Sequence, residues 1–427
     1  MYVSGLASYL QLQGHQVIVI AVMPPNAFED HPVFFEDEQL KTIAYQLSSV
    51  KIIGVVLKDS NTAEIYKKFR PQWVYSWCSV LNNITAEKWD VLHIHANTAA
   101  IGTSLIKAAK LHTKDIKVIA SYHVPISCVK GTLLFANTMK ECAVKPAINI
   151  CTACFISSKQ NWPIGITKKL AAVMPLRVTE KLPTAIRIKL LVKQFISSFH
   201  SFDKEITLWH VFSEQIRSIL QLNGVPEKKI SLLRHGVNPY FFEKGMGSLL
   251  SRKDLSGNIF LYAGRFEKDK GFFTLLKAWC VLPETKEREL WIIGEKQADD
   301  EEIAKSIQTA SQRKDIHWLG PKGQEELALV MKKVHCTIIP SEWVEIGPLV
   351  FHEAIAAGSD VIASGIGGCK ELAELYYKKT GLFEPGNSDH LAKMIVDFNY
   401  SATTQLPLSQ IENYHQVEES YVQLIAG

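Results

Sequence analysis

The segment PSEWVEIGPLVFHEAIAAGSDVIASGIGGCKEL, which begins at Pro340, concentrates residues suited to binding a phosphorylated ligand. A strand-like run ends near Pro340, and Gly347 and Pro348 come just before a helical pattern, since proline fits the first turn of a helix. The backbone N–H groups of Gly347, Leu349 and Val350 would then face outward from a helix N-terminus. Donors and helix dipole together favour an anion there, so the sequence predicts a site for a diphosphate.

Two glutamates and two cations accompany this predicted anion site. Glu345 and Glu353 lie in one stretch at a spacing that puts one carboxylate in the loop and the other inside the helix, so they can contact different hydroxyl groups of one ligand. Arg265 and Lys270 follow Gly264 in LYAGRFEKDKG, at the end of another strand-like run. Two fixed cations and a helix N-terminus can neutralise the charge on a departing nucleoside diphosphate without a divalent metal.

These residues resemble the retaining enzymes of glycosyltransferase family 4 (GT4), which have the GT-B fold and a Glu-x7-Glu motif, here Glu345 to Glu353. Arg265 and Lys270 match the family's basic pair for the donor diphosphate. The resemblance covers nearly the whole chain and implies metal-independent transfer of a hexosyl unit from a nucleoside diphosphate sugar to an acceptor hydroxyl. It also implies that Glu353 holds the ribose and Glu345 contacts the donor sugar, with His123, in IKVIASYHVP, beside the transferred sugar.

Two other functions stay open at this point. A sugar-nucleotide epimerase would share the GT-B frame, but the N-terminal half shows no acidic cluster for its elimination chemistry. A weakly active nucleotide-sugar-binding or partner subunit is the second alternative, because the family's first strand and glycine-rich loop are expected upstream of SGLASYLQLQGHQV, where this chain begins at Met1. The donor base, the sugar and the acceptor stay open as well, because variable loops select them on this fold.

A second cluster of chemically active residues is the set of thiols in SCVKGTLLFANTMKECAVKPAINICTACFI. These thiols are Cys128, Cys142, Cys151 and Cys154. Four thiolates suit a closed structural zinc site, although buried thiols or a redox pair would also account for them. His93 and His95 alternate onto one face of a strand, but no Asp or Cys lies nearby, so no catalytic metal is predicted. We expect no cofactor for catalysis and a zinc ion that orders the insert.

The elements that must position these residues are strands alternating with helices. The strand-like runs are HQVIVIAV, KIIGVVL, DVLHIHA, IKVIASY, NIFLYAG, ELWIIGE, DIHWLG, VHCTIIPS and SDVIASG. Such alternation implies parallel sheets with crossover helices, so we predict an α/β GT-B protein with two facing Rossmann-like domains and a cleft between them. The predicted parts are an acceptor-side domain (1–235) with a helical insert (about 126–205), a linker (236–257), a donor domain (258–405) and a closing helix (406–427).

Composition narrows the class of protein further. The 427 residues are 47% apolar and 21% charged, which is typical of a packed globular chain, and a net charge of +4 is too weak to indicate nucleic acid. The N-terminus lacks the layout of a signal peptide, so we expect a cytoplasmic protein. The stretch ITKKLAAVMPLRVTEKLPTAIRIKLLVKQFISSF interleaves basic and apolar residues. It predicts either contact with a membrane or lipid-linked acceptor, or a helix covering the core with a basic outer face.

Overall fold

The computed structural model describes residues 2–23, 31–47, 50–58, 71–85, 87–95, 101–176, 183–242, 257–295, 301–376, 380–399 and 414–426. Within these ranges the strands form three sheets. Most of the predicted linker and the start of the predicted closing helix lie outside the described residues. No helix in the described part of the chain is long and apolar enough to cross a bilayer.

The first sheet is mixed rather than parallel. Its strands are β1 (Ile18–Val22), β2 (Val33–Glu36), β3 (Leu40–Leu47) and β4 (Val50–Leu57), in the order β1-β4-β3-β2. β1 runs parallel to β4, as predicted for these two runs, whereas β2 and β3, which were not predicted from the sequence, form an antiparallel meander with β4. The Asp37 carboxylate accepts hydrogen bonds from the backbone N–H groups of Gln39 (2.7 Å) and Leu40 (2.8 Å), which closes the tight turn between β2 and β3.

The second sheet is parallel and completes the N-terminal half. Its strands, in spatial order, are β5 (Val91–Ile94), β6 (Lys117–Ser121), β7 (Leu208–Val211) and β8 (Ile230–Leu232). The helices of this half are α1 (Tyr2–Leu12), α2 (Pro71–Ile84), α3 (Thr103–His112), α4 (Ile148–Gln160), α5 (Ile164–Val173), α6 (Thr184–Glu205) and α7 (Glu214–Leu222). One apolar core joins both sheets, and it contains the fully buried Ile53 of β4, Trp77 of α2 and Trp209 of β7.

The third sheet has six parallel strands and forms the C-terminal half. Its strands are β9 (Asn258–Ala263), β10 (Arg288–Ile293), β11 (Ile316–Gly320), β12 (Cys336–Ile339), β13 (Asp360–Ser364) and β14 (Thr380–Phe383), in the order β11-β10-β9-β12-β13-β14. Its helices are α8 (Phe272–Cys280), α9 (Glu301–Ala310), α10 (Gln324–Met331), α11 (Leu349–Ala356), α12 (Gly367–Leu375) and α13 (Ser388–Val396). The strand order reverses direction between β9 and β12, and ligands of such sheets bind at that point.

The last helix, α14 (Tyr414–Ala426), packs against the N-terminal half. A chain of hydrogen bonds runs from α14 through β5, β6 and β7. The backbone carbonyl at its far end determines which atom donates in each of these bonds. The Leu233 carbonyl can only accept, so Nε2 of His210 donates (3.0 Å) and Nδ1 accepts from the Ser121 hydroxyl (2.9 Å). The Ser121 oxygen therefore accepts from Nε2 of His93 (2.7 Å), and Nδ1 of His93 accepts from the Tyr421 hydroxyl.

Candidate functional site

The loops after β9 and β12 bring a cation and a carboxylate together at the point where the strand order reverses. Lys270 Nζ lies 2.9 Å from Glu345 Oε1, and the Ser341 hydroxyl donates to the same oxygen at 2.7 Å. Lys270 also lies over the ring of Trp343, with Nζ 4.8 Å from the centroid. These contacts hold Glu345 and Lys270 in fixed positions, and they join two residues that the sequence predicted for one site.

A glycine allows the loop after β9 to approach the end of β12. Gly271 has a φ of +67°, and a Cβ atom there would lie 1.7 Å from the Pro340 carbonyl oxygen. A residue with a side chain would therefore push the two loops apart. Because Lys270 directly precedes Gly271, this close approach determines where the ammonium group lies.

The Gly367–Gly368 turn packs directly on the loop that carries Glu345. The N–H of Gly368 donates to the Glu345 carbonyl at 2.7 Å. A Cβ atom on Gly367, whose φ is +62°, would lie 2.8 Å from the Glu345 nitrogen, and one on Gly368 would lie 2.8 Å from Pro348 Cδ. Both positions therefore require glycine, and the turn packs closely against the loop that carries Glu345.

Helix α11 begins at Leu349, directly after Pro348, as the sequence predicts. The N–H groups of Leu349 and Val350 belong to its first turn, where an α-helix leaves such donors without partners of its own. A Cβ atom on Gly347 would lie 2.9 Å from both His235 Cδ2 and Phe212 Cβ. The N-terminal half therefore closes over this end of the helix, and Gly347 provides the space.

Glu353, within α11, is buried in a different environment from Glu345. Its Oε1 accepts a hydrogen bond from Gln324 Nε2 at 3.3 Å, and it forms no ion pair among the described residues. Burial raises the pKa of Glu353 to about 7. A carboxyl group of this kind changes its charge near neutral pH, so its environment favours a ligand that donates hydrogen bonds to it.

Arg265 has a fixed backbone and a half-exposed side chain. The Tyr262 hydroxyl donates to the Arg265 carbonyl at 2.6 Å, and the guanidinium Nη1 lies 2.9 Å from Glu267 Oε1. The backbone of the preceding Gly264 packs closely against Gly294. A Cβ atom on Gly294 would lie only 1.9 Å from the Gly264 carbonyl oxygen. The guanidinium group is therefore available to a ligand, and its partner Glu267 lies in the same loop.

His123 lies after β6, in contact with the rings that cover α11. Its Nε2 lies 3.0 Å from His95 Nδ1, and its ring centroid lies 4.7 Å from that of Phe212. Phe212 in turn stacks on His235 with centroids 3.9 Å apart, and both lie against Gly347. Burial, and next the nearby His210, lowers the pKa of His123 to about 4, so the imidazole is neutral at neutral pH.

Sequence reasoning missed two carboxylates that join the halves of the molecule. Glu141 Oε1 accepts from the N–H of Gly367 at 2.7 Å, at the start of α12. Glu371 accepts from the N–H of Glu214 at 2.8 Å, at the start of α7, and also pairs with Arg234. Each half thus supplies a carboxylate to a helix N-terminus of the other. Both contacts join residues more than a hundred positions apart, which no local pattern indicates.

The cysteines of the predicted zinc site line one apolar cavity of about 50 Å³. These residues are Cys128, Cys142, Cys151 and Cys154. The Ala136 N–H donates to Cys154 Sγ at 3.1 Å, and burial raises the pKa of Cys151 to about 11. In the part of the chain that the structure describes, no group of three or more His, Cys, Asp or Glu residues is arranged to hold a metal ion. The thiols share one cavity, but as placed they do not fit a metal.

Solved structures with the same architecture are glycosyltransferases of low sequence identity. A sucrose-phosphate synthase of Thermosynechococcus elongatus superimposes with a TM-score of 0.62 at 17% identity, covering 99% of this chain and 91% of its own. A glycosyltransferase of Rickettsia africae gives 0.60 at 14%, covering 99% and 92%. Anabaena HepE in complex with UDP and glucose gives 0.55 at 13%, covering 88% and 86%. These likenesses establish the GT-B fold.

Sequence comparison matches each half of the chain to a glycosyltransferase family model. A curated protein of Methanocaldococcus jannaschii, an uncharacterized glycosyltransferase, is 25% identical over 209 residues, which are 47% of this chain and 51% of that protein. The chain therefore matches about half the length of that relative. Residues 251–402 match the family model for glycosyl transferases group 1, and residues 1–158 match the model for glycosyltransferase family 4. With a family model on each half, the chain belongs to the GT4-type glycosyltransferases.

Proposed function

We propose that this chain transfers a hexosyl unit from a nucleoside diphosphate sugar to an acceptor hydroxyl, with retention of configuration at the anomeric carbon and without a metal ion. The observation that carries the proposal is the convergence of Lys270, Glu345 and the first turn of α11 where the strand order reverses. A cation, a carboxylate and free backbone donors within one loop cluster suit a ligand that is both anionic and rich in hydroxyl groups.

The diphosphate would bind between the cations and the helix. Lys270 and Arg265 would each contribute a positive charge, and the N–H groups of Leu349 and Val350 would donate to phosphate oxygens. Since Lys270 is already held by Glu345 and Trp343, it would meet the developing negative charge without reorganisation. Stabilising the departing diphosphate in this way would supply most of the catalysis.

The remaining site residues would orient the two sugars. Glu353 would accept hydrogen bonds from the ribose hydroxyls, and Glu345 would contact the donor sugar. His123, being neutral, would hydrogen-bond a sugar hydroxyl rather than supply a charge. In the reaction the bond between the anomeric carbon and the phosphate oxygen breaks, and the acceptor oxygen bonds to the same face of that carbon. The acceptor proton passes to the departing phosphate.

The fold and one solved structure that resembles this chain indicate which substrates to test first. Anabaena HepE has been solved with UDP and glucose, which makes a uridine donor the first choice for this chain. The acceptor would be a sugar or a lipid-linked sugar, as in the synthesis of a polysaccharide or glycolipid. The reaction would take place in the cleft on the side of His123.

A panel of UDP, GDP and ADP sugars tests the proposal. Release of the nucleoside diphosphate would be measured for each donor with and without EDTA, and the anomeric configuration of the product would be determined by NMR. We expect one donor class to react, the product to keep the donor's configuration, and EDTA to have no effect. An inverted product would contradict retention, and activity restored only by magnesium or manganese would contradict metal independence.

A further inference from the structure

Helix α5 exposes a row of large apolar side chains on the surface of the N-terminal half. Ile166, Leu170 and Val173 lie four and three residues apart and therefore share one helix face, and Trp162 lies in the loop just before the helix, four residues ahead of Ile166. All of them are exposed, Ile166 by 57% and Val173 by 79%. Single exposed apolar residues are common, but a continuous row on one helix face indicates an interaction surface. We call Trp162 and these three residues the α5 stripe.

The rest of α5 is anchored, so the α5 stripe cannot turn inward. Thr167 and Ala171 are buried on its inner side. The ammonium group of Lys189, a buried residue of α6, donates to the carbonyl oxygens of Ala171 (2.8 Å) and Met174 (3.0 Å) at the C-terminal end of α5. At the other end, the Ser157 hydroxyl donates to the Trp162 carbonyl at 2.6 Å. The stripe is therefore a fixed feature of the folded surface.

In the sequence around the stripe, every charged residue between Glu141 and Glu180 is basic. Lys168 and Lys169 lie on α5 itself, Lys159 lies at the end of α4, and all three are exposed. An apolar row whose charged neighbours in the sequence are all basic complements a bilayer surface, which has an apolar interior and anionic headgroups. Protein interfaces, in contrast, are depleted in lysine.

We propose that α5 docks on an anionic lipid bilayer, lying in the plane of the interface. The α5 stripe would enter the boundary between headgroups and acyl chains, where tryptophan is enriched in membrane proteins, and the lysines would contact the headgroup phosphates. The docking goes beyond the proposed transfer reaction and does not depend on it, because it is carried by residues away from the donor site.

Vesicle sedimentation tests the docking without any measurement of activity. The purified chain would be mixed with vesicles of phosphatidylcholine alone or of phosphatidylcholine with phosphatidylglycerol, at low and high salt. We expect binding only to the anionic vesicles, with weakening as salt screens the lysines. A lysine near an anionic surface contributes about fivefold to partitioning. The double variant Lys168→Glu, Lys169→Glu and the double variant Ile166→Asp, Val173→Asp should therefore each lose at least about tenfold.

Matched controls lie at the end of α3, where Leu111 is 72% exposed and Lys114 is exposed. Leu111→Asp and Lys114→Glu should bind vesicles like the unchanged chain, and circular dichroism would verify that every variant is folded. Equal loss in the controls, binding to neither vesicle, or equal binding to both would overturn the proposal. So would self-association that Val173→Asp abolishes, because a second copy would then cover the stripe.

Discussion

Glu353 gives donor binding a specific pH dependence. Burial raises its pKa to about 7, so the free protein carries a neutral carboxyl below that pH and a carboxylate above it. Ribose hydroxyls would donate to the charged form, and the affinity for a nucleoside diphosphate sugar should therefore rise as the pH increases from 6 to 8. Titration calorimetry at both values measures the rise. Glu353→Gln, of nearly the same shape, should bind at least about tenfold more weakly at pH 8, with no such rise. A rise that persists in the variant would refute the assignment.

Arg265 is expected to act through its charge on the diphosphate. Arg265→Ala should lower turnover at least about tenfold, since it removes a charge-assisted hydrogen bond of ~1.5 to 3 kcal/mol. Glu267→Ala is the matched control, because it removes the present partner of the guanidinium group and leaves the cation in place. Steady-state kinetics of both variants decide the point. Near-normal turnover in Arg265→Ala would remove this residue from the site.

The part of the site that follows from local motifs and from the family resemblance was predictable, and the contacts between the two halves of the molecule were not. Glu345, Gly347 and the start of α11 follow from a motif whose geometry is local. Glu141 contacts Gly367 across 226 positions, and a lone glutamate beside a cysteine carries no pattern that indicates such a contact. His235, the last residue of the predicted acceptor-side domain, was not predicted as a site residue for the same reason, since only the folded chain brings it against Gly347.

At the scale of elements, strand prediction succeeded where apolar runs were continuous. The nine strand-like runs correspond to β1, β4, β5, β6, β9, β10, β11, β12 and β13. The missed strands, apart from β3, are three or four residues long, although β5 and β12 were predicted at the same length. β3 was missed because Lys41, Thr42 and Gln46 interrupt its apolar residues, although Thr42 is fully buried.

The zinc ion at the cysteine cavity stays a prediction. It predicts one zinc per chain by elemental analysis, lost together with several degrees of thermal stability in Cys151→Ser, because a bound structural ion contributes directly to folding. Cys280→Ser is the control, since that half-buried thiol lies outside the cavity. Protein that contains no stoichiometric metal would leave the four residues as ordinary thiols that line the cavity.

At the scale of the whole molecule, the buried histidines should make the protein sensitive to acid. Burial lowers the pKa of His210 to about 4 and that of His95 to about 3, against 6.5 in the unfolded chain. The unfolded state therefore binds more protons between these values. The free energy of unfolding should fall as the pH drops below 6.5, by about 1.4 kcal/mol per pH unit for each such histidine.

Urea unfolding at pH 7 and pH 5 measures this loss. Glu353 has the opposite effect, because its raised pKa lowers the free energy of unfolding as the pH rises from 4.5 to 7. The buried histidines are more numerous, so we expect their effect to dominate. His210→Gln should flatten the dependence on pH. Equal stability at pH 5 and pH 7 would show that these imidazoles are not held neutral.

The two interdomain carboxylates have a kinetic consequence. Separating the halves would take Glu141 from α12 and Glu371 from α7, so both helix ends would lose their partners in the same movement. The double variant Glu141→Gln, Glu371→Gln should therefore populate an open form, with a larger radius of gyration in small-angle X-ray scattering. An unchanged radius would show that other contacts hold the cleft shut. If the nucleoside diphosphate product leaves through this cleft, its rate of release would depend on how long Glu141 and Glu371 stay hydrogen-bonded to the N-termini of α12 and α7.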